Sequence, residues 1–396
     1  MINKIYHTNK LVKHKLKIIF VSEYYYPHLG GIEIVIKEVA ERLANNGHDI
    51  HVITCKLGVE KNLERLNGVT VHRVSVPKWG DRYWFDSFWA IPAIIRLCGR
   101  CDLIHAGCHN SAFPAWLVAT ILRKKKIVTI HELLGKEWIS LSGMNFPKAK
   151  LHEMSEKILA SLCFDKYICV SKNSESQLKS MNPRADINKQ IVIYNGIDNA
   201  LFNASTMDGT KIRQNLKITE YFIYMSFGRP GISKGIEYLI GAVPLIRKIL
   251  PNSKLLLILD TNPSNRYKMI VQMISDLHIE DQIILLKPVP RSELPNYIAA
   301  ADCIVIPSLS EGFGLSAAEA CAMRKPVVAS KVGSLPEIIS GQYVLIEPKN
   351  SEAIADGVWK VFRGEVQQIP FKVFDWNICF QQYLKTYDEI VKPSDY

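Results

Sequence analysis

Two glutamates, Glu311 and Glu319, flank a glycine-rich turn in the second half of the chain. The apolar run 303–306 before them is typical of a buried strand, and the alanine-rich segment after Gly314 is typical of a helix. A helix start offers free N–H groups and a partial positive charge to phosphate or sugar oxygens, and carboxylates accept hydrogen bonds from hydroxyls. The pattern favours a sugar-nucleotide site. An ordinary strand–turn–helix with solvated glutamates is the alternative.

Two cations, Arg229 and Lys234, flank a second glycine-rich turn, which follows a predicted strand at 222–227. In open parallel sheets, ligands bind beyond the carboxyl ends of the strands, so these side chains are placed to clamp a diphosphate. A solvated basic turn is the alternative. The sequence has no Asp-x-Asp motif and no cluster of ligands with metal spacing. We therefore expect protein cations to replace a metal, so that no metal is required.

Two further positions follow predicted strands in the first half of the chain. Gly30 and Gly31 open a helix, and glycines allow a diphosphate to approach the backbone closely; a plain turn is the alternative. His131 ends an apolar strand, where it can donate to a sugar hydroxyl or phosphate oxygen or serve a structural role, and His105 is a weaker candidate of the same kind. The Gly-x-Gly-x-x-Gly fingerprint is absent, which argues against a dehydrogenase.

β-rich runs alternate with helical patterns along the whole chain, which predicts parallel, doubly wound sheets. The polar region 195–219 separates one series of runs from a second. We therefore predict an α/β protein with Rossmann-like domains at 1–195 and 196–375, facing a central cleft. A terminal helix is predicted at 376–396; it either crosses back to the first domain or is a simple terminal helix. The predicted strands lie at 16–21, 50–54, 103–105, 127–131, 167–170 and 191–194, and at 222–227, 255–259, 283–286, 303–306, 326–329 and 343–346.

The chain has 396 residues, of which 48% are hydrophobic, and a formal net charge of +11. This size suffices for two cores. The basic residues are dispersed and carry no zinc-finger or RNA-binding signature, so we expect no nucleic-acid partner. A diphosphate ligand and an anionic membrane surface account better for the charge. The segment 78–100 interleaves aromatic residues with basic ends, which suits peripheral contact with lipid headgroups; packing of these aromatics in the core is the alternative.

The start of the chain lacks the apolar stretch and cleavage site of a secretory signal. The nine cysteines, an odd number, favour a reducing compartment. Apolar runs such as 88–95 and 112–122 fall short of the roughly 20 residues that cross a bilayer. We expect a cytoplasmic protein; for the aromatic segment, packing in the core is favoured over peripheral contact at the inner membrane face.

Taken together, the motifs resemble those of the retaining glycosyltransferases of family 4, also described as glycosyl transferases group 1. The resemblance spans nearly the whole chain and rests on Pro-x-x-Gly-Gly-x-Glu at 27–33, Asn-Gly-Ile-Asp at 195–198, Gly-Arg-x-x-x-x-Lys-Gly at 228–235 and Glu-Gly-Phe-Gly-Leu at 311–315. It implies the GT-B fold, with an acceptor-side first domain and a second domain that binds the nucleotide sugar. It also implies transfer with retained anomeric configuration and without a metal or other cofactor.

The resemblance assigns most donor contacts to the second domain. Arg229 and Lys234 would hold the diphosphate, Glu311 would meet hydroxyls of the transferred sugar, and Glu319 would bind the ribose hydroxyls. Backbone N–H groups would come from Phe313, Gly314 and Leu315.

The first domain would contribute the Gly30–Gly31 backbone, which approaches the diphosphate, and His131, which matches the active-site histidine of the family. The catalytic set is then His131, Glu311, Arg229 and Lys234. In the mechanism usually proposed, the acceptor attacks on the face that the nucleotide leaves. Glu311 then has an orienting and electrostatic role and does not act as a nucleophile.

The chain departs from the family pattern at three places. The segment 260–263 replaces a common Gly-x-Gly turn, and Lys325 and Ser334 replace frequent glycines. The sequence therefore defines the diphosphate clamp better than the pocket for the nucleotide base.

These observations predict an enzyme that transfers a hexose-type sugar from a nucleoside-diphosphate sugar to a lipid-linked or glycan acceptor. A nucleotide-sugar epimerase on the same architecture is one alternative. A catalytically inactive nucleotide-sugar-binding subunit is another, although intact Glu311, Arg229 and Lys234 argue against it.

Overall fold

A computed structural model describes residues 15–28, 30–58, 60–76, 89–107, 109–183 and 186–391. Most of the aromatic residues of the segment 78–100, at 79–88, lie outside the described residues. The chain forms two sheets, one of eight and one of seven strands, with helices around each. The predicted α/β fold with two mostly parallel sheets is confirmed.

The first sheet has the order β3-β4-β2-β1-β5-β6-β7-β8 and is parallel except for the pair β3–β4. Its strands are β1 Lys17–Val21, β2 Asp49–Cys55, β3 Leu63–Leu66, β4 Val69–Val74, β5 Leu103–Ala106, β6 Lys125–Ile130, β7 Lys166–Cys169 and β8 Gln190–Val192. The associated helices are α1 Gly31–Asn45, α2 Ile91–Cys98, α3 His109–Ile121, α4 Trp138–Leu141, α5 Phe146–Ser161 and α6 Lys172–Met181, with 3-10 turns at Gly135–Glu137 and Ile187–Lys189.

The second sheet has the order β11-β10-β9-β12-β13-β14-β15 and is parallel except for the pair β14–β15. Its strands are β9 Phe222–Gly228, β10 Ser253–Leu259, β11 Ile283–Leu286, β12 Cys303–Ile306, β13 Val327–Ser330, β14 Gly341–Ile346 and β15 Gln367–Ile369. Its helices are α7 Thr210–Asn215, α8 Ile236–Ile249, α9 Ser264–Asp276, α10 Leu294–Ala300, α11 Leu315–Ala322, α12 Leu335–Ile338 and α13 Ser351–Arg363, with 3-10 turns at Ile232–Lys234 and Glu280–Gln282.

The final helix, α14 Trp376–Val391, packs against α1 in the first domain. Its side chains Trp376, Tyr383 and Tyr387 are buried in the core of the first sheet. Tyr387 hydroxyl lies 2.7 Å from Nδ1 of His105, and the other ring nitrogen of His105 lies 2.8 Å from Thr129 Oγ1. Burial lowers the pKa of His105 to about 3, so it is a neutral core residue that links the helix to the sheet.

Strands β3 and β4 form an edge hairpin that the sequence prediction missed. Its turn, Asn67–Gly68, has positive φ at both residues, 48° and 87°. An Asn-Gly pair between alternating side chains is the usual signal for this hairpin. In the parts of the chain that the structure covers, no helix is both long and apolar enough to span a membrane.

Candidate active site

The carboxyl ends of the two sheets meet where His131, directly after β6, approaches Gly312, after β12. A Cβ atom added at Gly312 would lie 2.0 Å from the carbonyl oxygen of His131. The Gly312 carbonyl accepts a hydrogen bond of 2.6 Å from Ser171 Oγ, which begins α6 of the first domain. The two domains therefore touch through backbone at the centre of the site.

Glu311 and Lys234 form an ion pair in the second domain. Glu311 is buried and also accepts a hydrogen bond of 3.0 Å from Ser308 Oγ. Lys234 lies in the 3-10 turn before Gly235, which has φ of 60° and leaves no room for a side chain, since an added Cβ would lie 2.1 Å from the Pro307 carbonyl oxygen. This close approach brings the turn Ile232–Lys234, which we call the cationic turn, against the end of β12. It fixes the Lys234 ammonium beside the Glu311 carboxylate.

Arg229 crosses from the second domain to the start of α1 in the first. A Cβ added at Gly30 would lie 2.4 Å from an Arg229 guanidinium nitrogen and 2.3 Å from Glu33 Oε2. Burial by itself raises the pKa of Glu33, but contact with His28, the backbone and Arg229 outweighs it, so the pKa lies below its usual value. Gly31 contacts Leu315 Cδ1, which lies 3.7 Å from an added Cβ. The exposed Arg229 side chain thus lies at the domain boundary, over the glycine backbone.

Helix α11 directs its start toward the same region. Its N-cap, Gly314, has φ of 84°, and the first bonded turn begins with Ala317 and Ala318, whose N–H groups donate to the Gly314 carbonyl at 3.0 and 3.1 Å. The preceding N–H groups of Leu315 and Ser316 belong to the helix end that has no intrahelical acceptor. The Phe313 side chain is buried against Phe374 and Tyr194, so only its backbone faces the site region.

Glu319 has a partner that the sequence prediction missed. Its carboxylate is buried and forms an ion pair with Arg291, whose guanidinium lies 5.1 Å from the ring centre of Phe202. Burial raises the pKa of Glu319, and the positive charge of Arg291 opposes this. Arg291 lies in the segment after β11, so the rule that ligands gather after strands would have found it.

His131 is half-buried, and its Nε2 lies 2.9 Å from the Gly107 carbonyl oxygen. A carbonyl oxygen only accepts, so Nε2 carries the proton and Nδ1 is the acceptor. Burial lowers the pKa of His131 to about 4, although the hydrogen bond to Gly107 and the negative charge of Glu33 both act to raise it. The neutral ring therefore has an acceptor to offer a sugar hydroxyl, whereas the sequence suggested a donor.

Glu132 is a second residue that the sequence prediction did not assign. Its Oε1 accepts a hydrogen bond of 2.5 Å from Ser310 Oγ across the domain boundary. Burial raises the pKa of Glu132 to about 7; the Ser310 hydrogen bond opposes this and the charge of Glu311 adds to it. A carboxyl group that is about half protonated at pH 7 thus lies beside Glu311 and His131.

Glu132→Gln is expected to stabilise the protein increasingly as the pH rises. Because the pKa of Glu132 is raised to about 7 from 4.5 in the folded state, its contribution to stability is complete below about 4.5 and is lost as the pH rises through about 7. The difference in free energy of unfolding between Glu132→Gln and wild type should therefore grow from about pH 5 to about pH 8 in urea titrations. Glu137→Gln, at an exposed position nearby, is the control. A difference that does not change with pH would contradict this placement of Glu132.

Glu337 joins the domains on the other side of Gly312. Its carboxylate accepts hydrogen bonds from the Lys172 and Asn173 N–H groups, at 3.1 and 2.9 Å, and from the Tyr194 hydroxyl at 2.9 Å. Ser334, the N-cap residue of α12, donates from its N–H and hydroxyl groups to the Glu311 carbonyl at 3.0 and 3.2 Å. One short helix therefore supports both Glu311 and the contact between the domains.

Two family profiles together match most of the chain. Residues 29–201 match Glycosyltransferase Family 4, and residues 208–369 match Glycosyl transferases group 1. An uncharacterized glycosyltransferase of Methanocaldococcus jannaschii is 32% identical over 361 residues, which cover 87% of this chain and 89% of the relative. D-inositol 3-phosphate glycosyltransferase of Thermobifida fusca is 26% identical over 328 residues, covering 78% of this chain and 75% of the relative.

Solved structures share the fold at low sequence identity. Sucrose-phosphate synthase from Thermosynechococcus elongatus has a TM-score of 0.80 at 22% identity and covers 95% of this chain and 99% of its own. HepE of Anabaena, solved with UDP and glucose, has a TM-score of 0.77 at 22% identity and covers 94% of this chain and 100% of its own. The predicted GT-B architecture is confirmed, and the chain belongs to the group 1 glycosyltransferases of family 4.

Proposed function

We propose that the protein transfers a hexose-type sugar from a nucleoside-diphosphate sugar to a lipid-linked or oligosaccharide acceptor, with retention of configuration. The observation that carries the proposal is the convergence of Arg229, Lys234 and the start of α11 at the domain boundary. Two cations and free N–H groups suit a diphosphate leaving group. HepE has been solved with UDP-glucose, which makes a uridine diphosphate sugar the first donor to test.

In the proposed reaction, the bond between the anomeric carbon and the donor phosphate oxygen breaks as the acceptor oxygen attacks from the same face. The acceptor proton passes to the departing phosphate oxygen. Arg229 and Lys234 stabilise the charge that grows on the diphosphate, and this replaces the role of a metal ion. Glu311, held by Lys234 and Ser308, orients the sugar hydroxyls. His131 accepts a hydrogen bond from a sugar hydroxyl at Nδ1.

A panel of nucleotide sugars, each incubated with lipid-linked and oligosaccharide acceptors, tests this reaction through release of nucleoside diphosphate. NMR of the product should show the anomeric configuration of the donor, and turnover should persist with EDTA. No donor binding and no turnover with any donor would overturn the proposal. Isomerisation of the donor without an acceptor would identify an epimerase, and donor binding without turnover would identify an inactive binding subunit.

Glu319→Gln is expected to weaken donor binding more than catalysis. Glutamine can still accept from Arg291, so the change mainly removes the negative charge that we assign to the ribose hydroxyls. Because a hydrogen bond to a charged group contributes about 1.5–3 kcal/mol, the donor KM should rise about tenfold or more. The kcat should change little. Steady-state kinetics test this, with exposed Glu293→Gln as the control; a fall in kcat at unchanged KM would contradict the assignment.

A further inference from the structure

Helix α5 in the first domain has an unusual distribution of polar and apolar side chains. The side chains that it buries are largely polar, and the side chains that it exposes are largely apolar. The buried polar residues are His152, Glu153 and Glu156, and the exposed fractions are 63% for Phe146, 49% for Leu151, 52% for Met154 and 57% for Ile158. A surface helix normally shows the opposite arrangement.

The buried carboxylate of Glu156 holds α5 in this orientation, whereas that of Glu153 pairs within the helix. Glu156 accepts hydrogen bonds from the Leu134 and Gly135 N–H groups, at 3.1 and 2.6 Å. Glu153 forms ion pairs with Lys150 and Lys157, at 2.8 and 2.6 Å. Rotating the helix to bury its apolar side chains would break the hydrogen bonds of Glu156 to Leu134 and Gly135, so the apolar residues stay at the surface.

Three of the exposed apolar residues form one stripe along α5. Leu151, Met154 and Ile158 are spaced three and four residues apart, which places them on one side of a helix. The adjacent helix α4 exposes a further apolar residue, Ile139. We call Leu151, Met154 and Ile158 the α5 stripe.

Lysines accompany the α5 stripe. Every exposed ionisable side chain of α5 is a lysine, namely Lys148, Lys150 and Lys157. Glu153 is covered and pairs with Lys150 and Lys157, so it offsets one of these three charges. Apolar residues flanked by lysines are typical of helices that lie in a membrane interface. The cores of protein–protein interfaces are instead depleted in lysine. The charge therefore favours an anionic lipid surface over a protein partner.

The start of α5 lies next to the candidate active site. Gly143, three residues before Phe146, lies against the cationic turn, because a Cβ added at Gly143 would be 2.8 Å from Ile232 Cδ1. We propose that α5 docks on an anionic bilayer, with the α5 stripe among the acyl chains and the lysines at the headgroups. Docking then presents the cleft between the domains to an acceptor held in the membrane; this last step rests on the proposed function.

Sedimentation of the full chain with vesicles tests the docking. Wild type should bind vesicles enriched in phosphatidylglycerol more tightly than vesicles of phosphatidylcholine alone, and added salt should weaken binding. The variant Leu151→Ser/Met154→Ser/Ile158→Ser should bind at least about tenfold more weakly than wild type, because it removes the apolar area that enters the bilayer. The control Leu245→Ser/Ile249→Ser/Met269→Ser changes exposed apolar residues of the second domain and should bind as wild type does.

Equal binding by wild type and the α5 variant, or no binding by wild type, would overturn the proposal. A dimer of wild type and a monomer of the α5 variant in size-exclusion chromatography would also overturn it, because the stripe would then contact a second copy of the chain. Lys148→Glu provides an independent variant, and it should weaken binding to phosphatidylglycerol vesicles only. Release of nucleoside diphosphate is measured separately without vesicles, so a failure of the proposed function is distinguishable from a failure of docking.

Discussion

Arg229→Ala is expected to slow sugar transfer by roughly 30- to 1000-fold, which corresponds to a loss of about 2–4 kcal/mol of transition-state stabilisation. The guanidinium lies at the domain boundary over Gly30, where it can meet charge that develops on the leaving diphosphate. Because the side chain is exposed, its removal should leave the melting temperature nearly unchanged. Measured kcat values, with a thermal melt for each variant, test both parts.

Lys234→Ala should slow transfer to a similar extent and should also destabilise the fold. It leaves the buried Glu311 carboxylate with Ser308 but without its cation, and an unpaired buried charge is costly. Adding Glu311→Gln should restore the melting temperature without restoring activity. Lys268→Ala, at an exposed position in α9, is the control. A wild-type kcat/KM in Arg229→Ala and Lys234→Ala would mean that neither cation acts on the diphosphate.

The sequence predicts the two-sheet architecture because parallel strands buried on both faces are continuous apolar runs, such as 303–306. It misses β3 and β15, whose residues are largely exposed, and β4, in which only alternate residues are buried; none of the three is a continuous apolar run. The order of strands within each sheet depends on crossovers between distant segments, which no local pattern encodes. The terminal helix is found by its spacing, but its packing through Tyr387 and His105 is a contact between residues far apart in the chain.

The candidate site divides in the same way. Residues within glycine-rich turns, such as Arg229 and Lys234, have a local signal. Arg291 and Glu132 follow strands, but no local pattern shows their role, since each acquires it from a partner in another segment, Glu319 and Ser310. Ser334 illustrates a third case, because the sequence marks it only as an unusual replacement, whereas its hydroxyl and N–H hold the carbonyl of Glu311.

The contact at Gly312 gives the second large expected effect. Gly312→Ala should lower kcat about 100-fold or more, because a misplacement of about 1 Å in reacting groups costs that much. The new Cβ would lie 2.0 Å from the His131 carbonyl oxygen, and backbone rather than a flexible side chain must move to relieve the clash. The displacement separates His131 from the donor-holding residues of the second domain.

Donor affinity should separate this effect from general unfolding. Arg229, Lys234 and Glu319 all belong to the second domain, so nucleoside diphosphate should still bind to Gly312→Ala, within about threefold of wild type by calorimetry. Gly99→Ala is the matched control, because an added Cβ there meets no atom within 4 Å and the residue has φ of −53°. A wild-type kcat in Gly312→Ala would show that the two strand ends need not touch during transfer. A joint loss of kcat and donor binding would place the whole effect in the second domain. The combination of lost kcat and retained binding is expected only if catalysis requires the first domain to close on a donor that the second domain already holds.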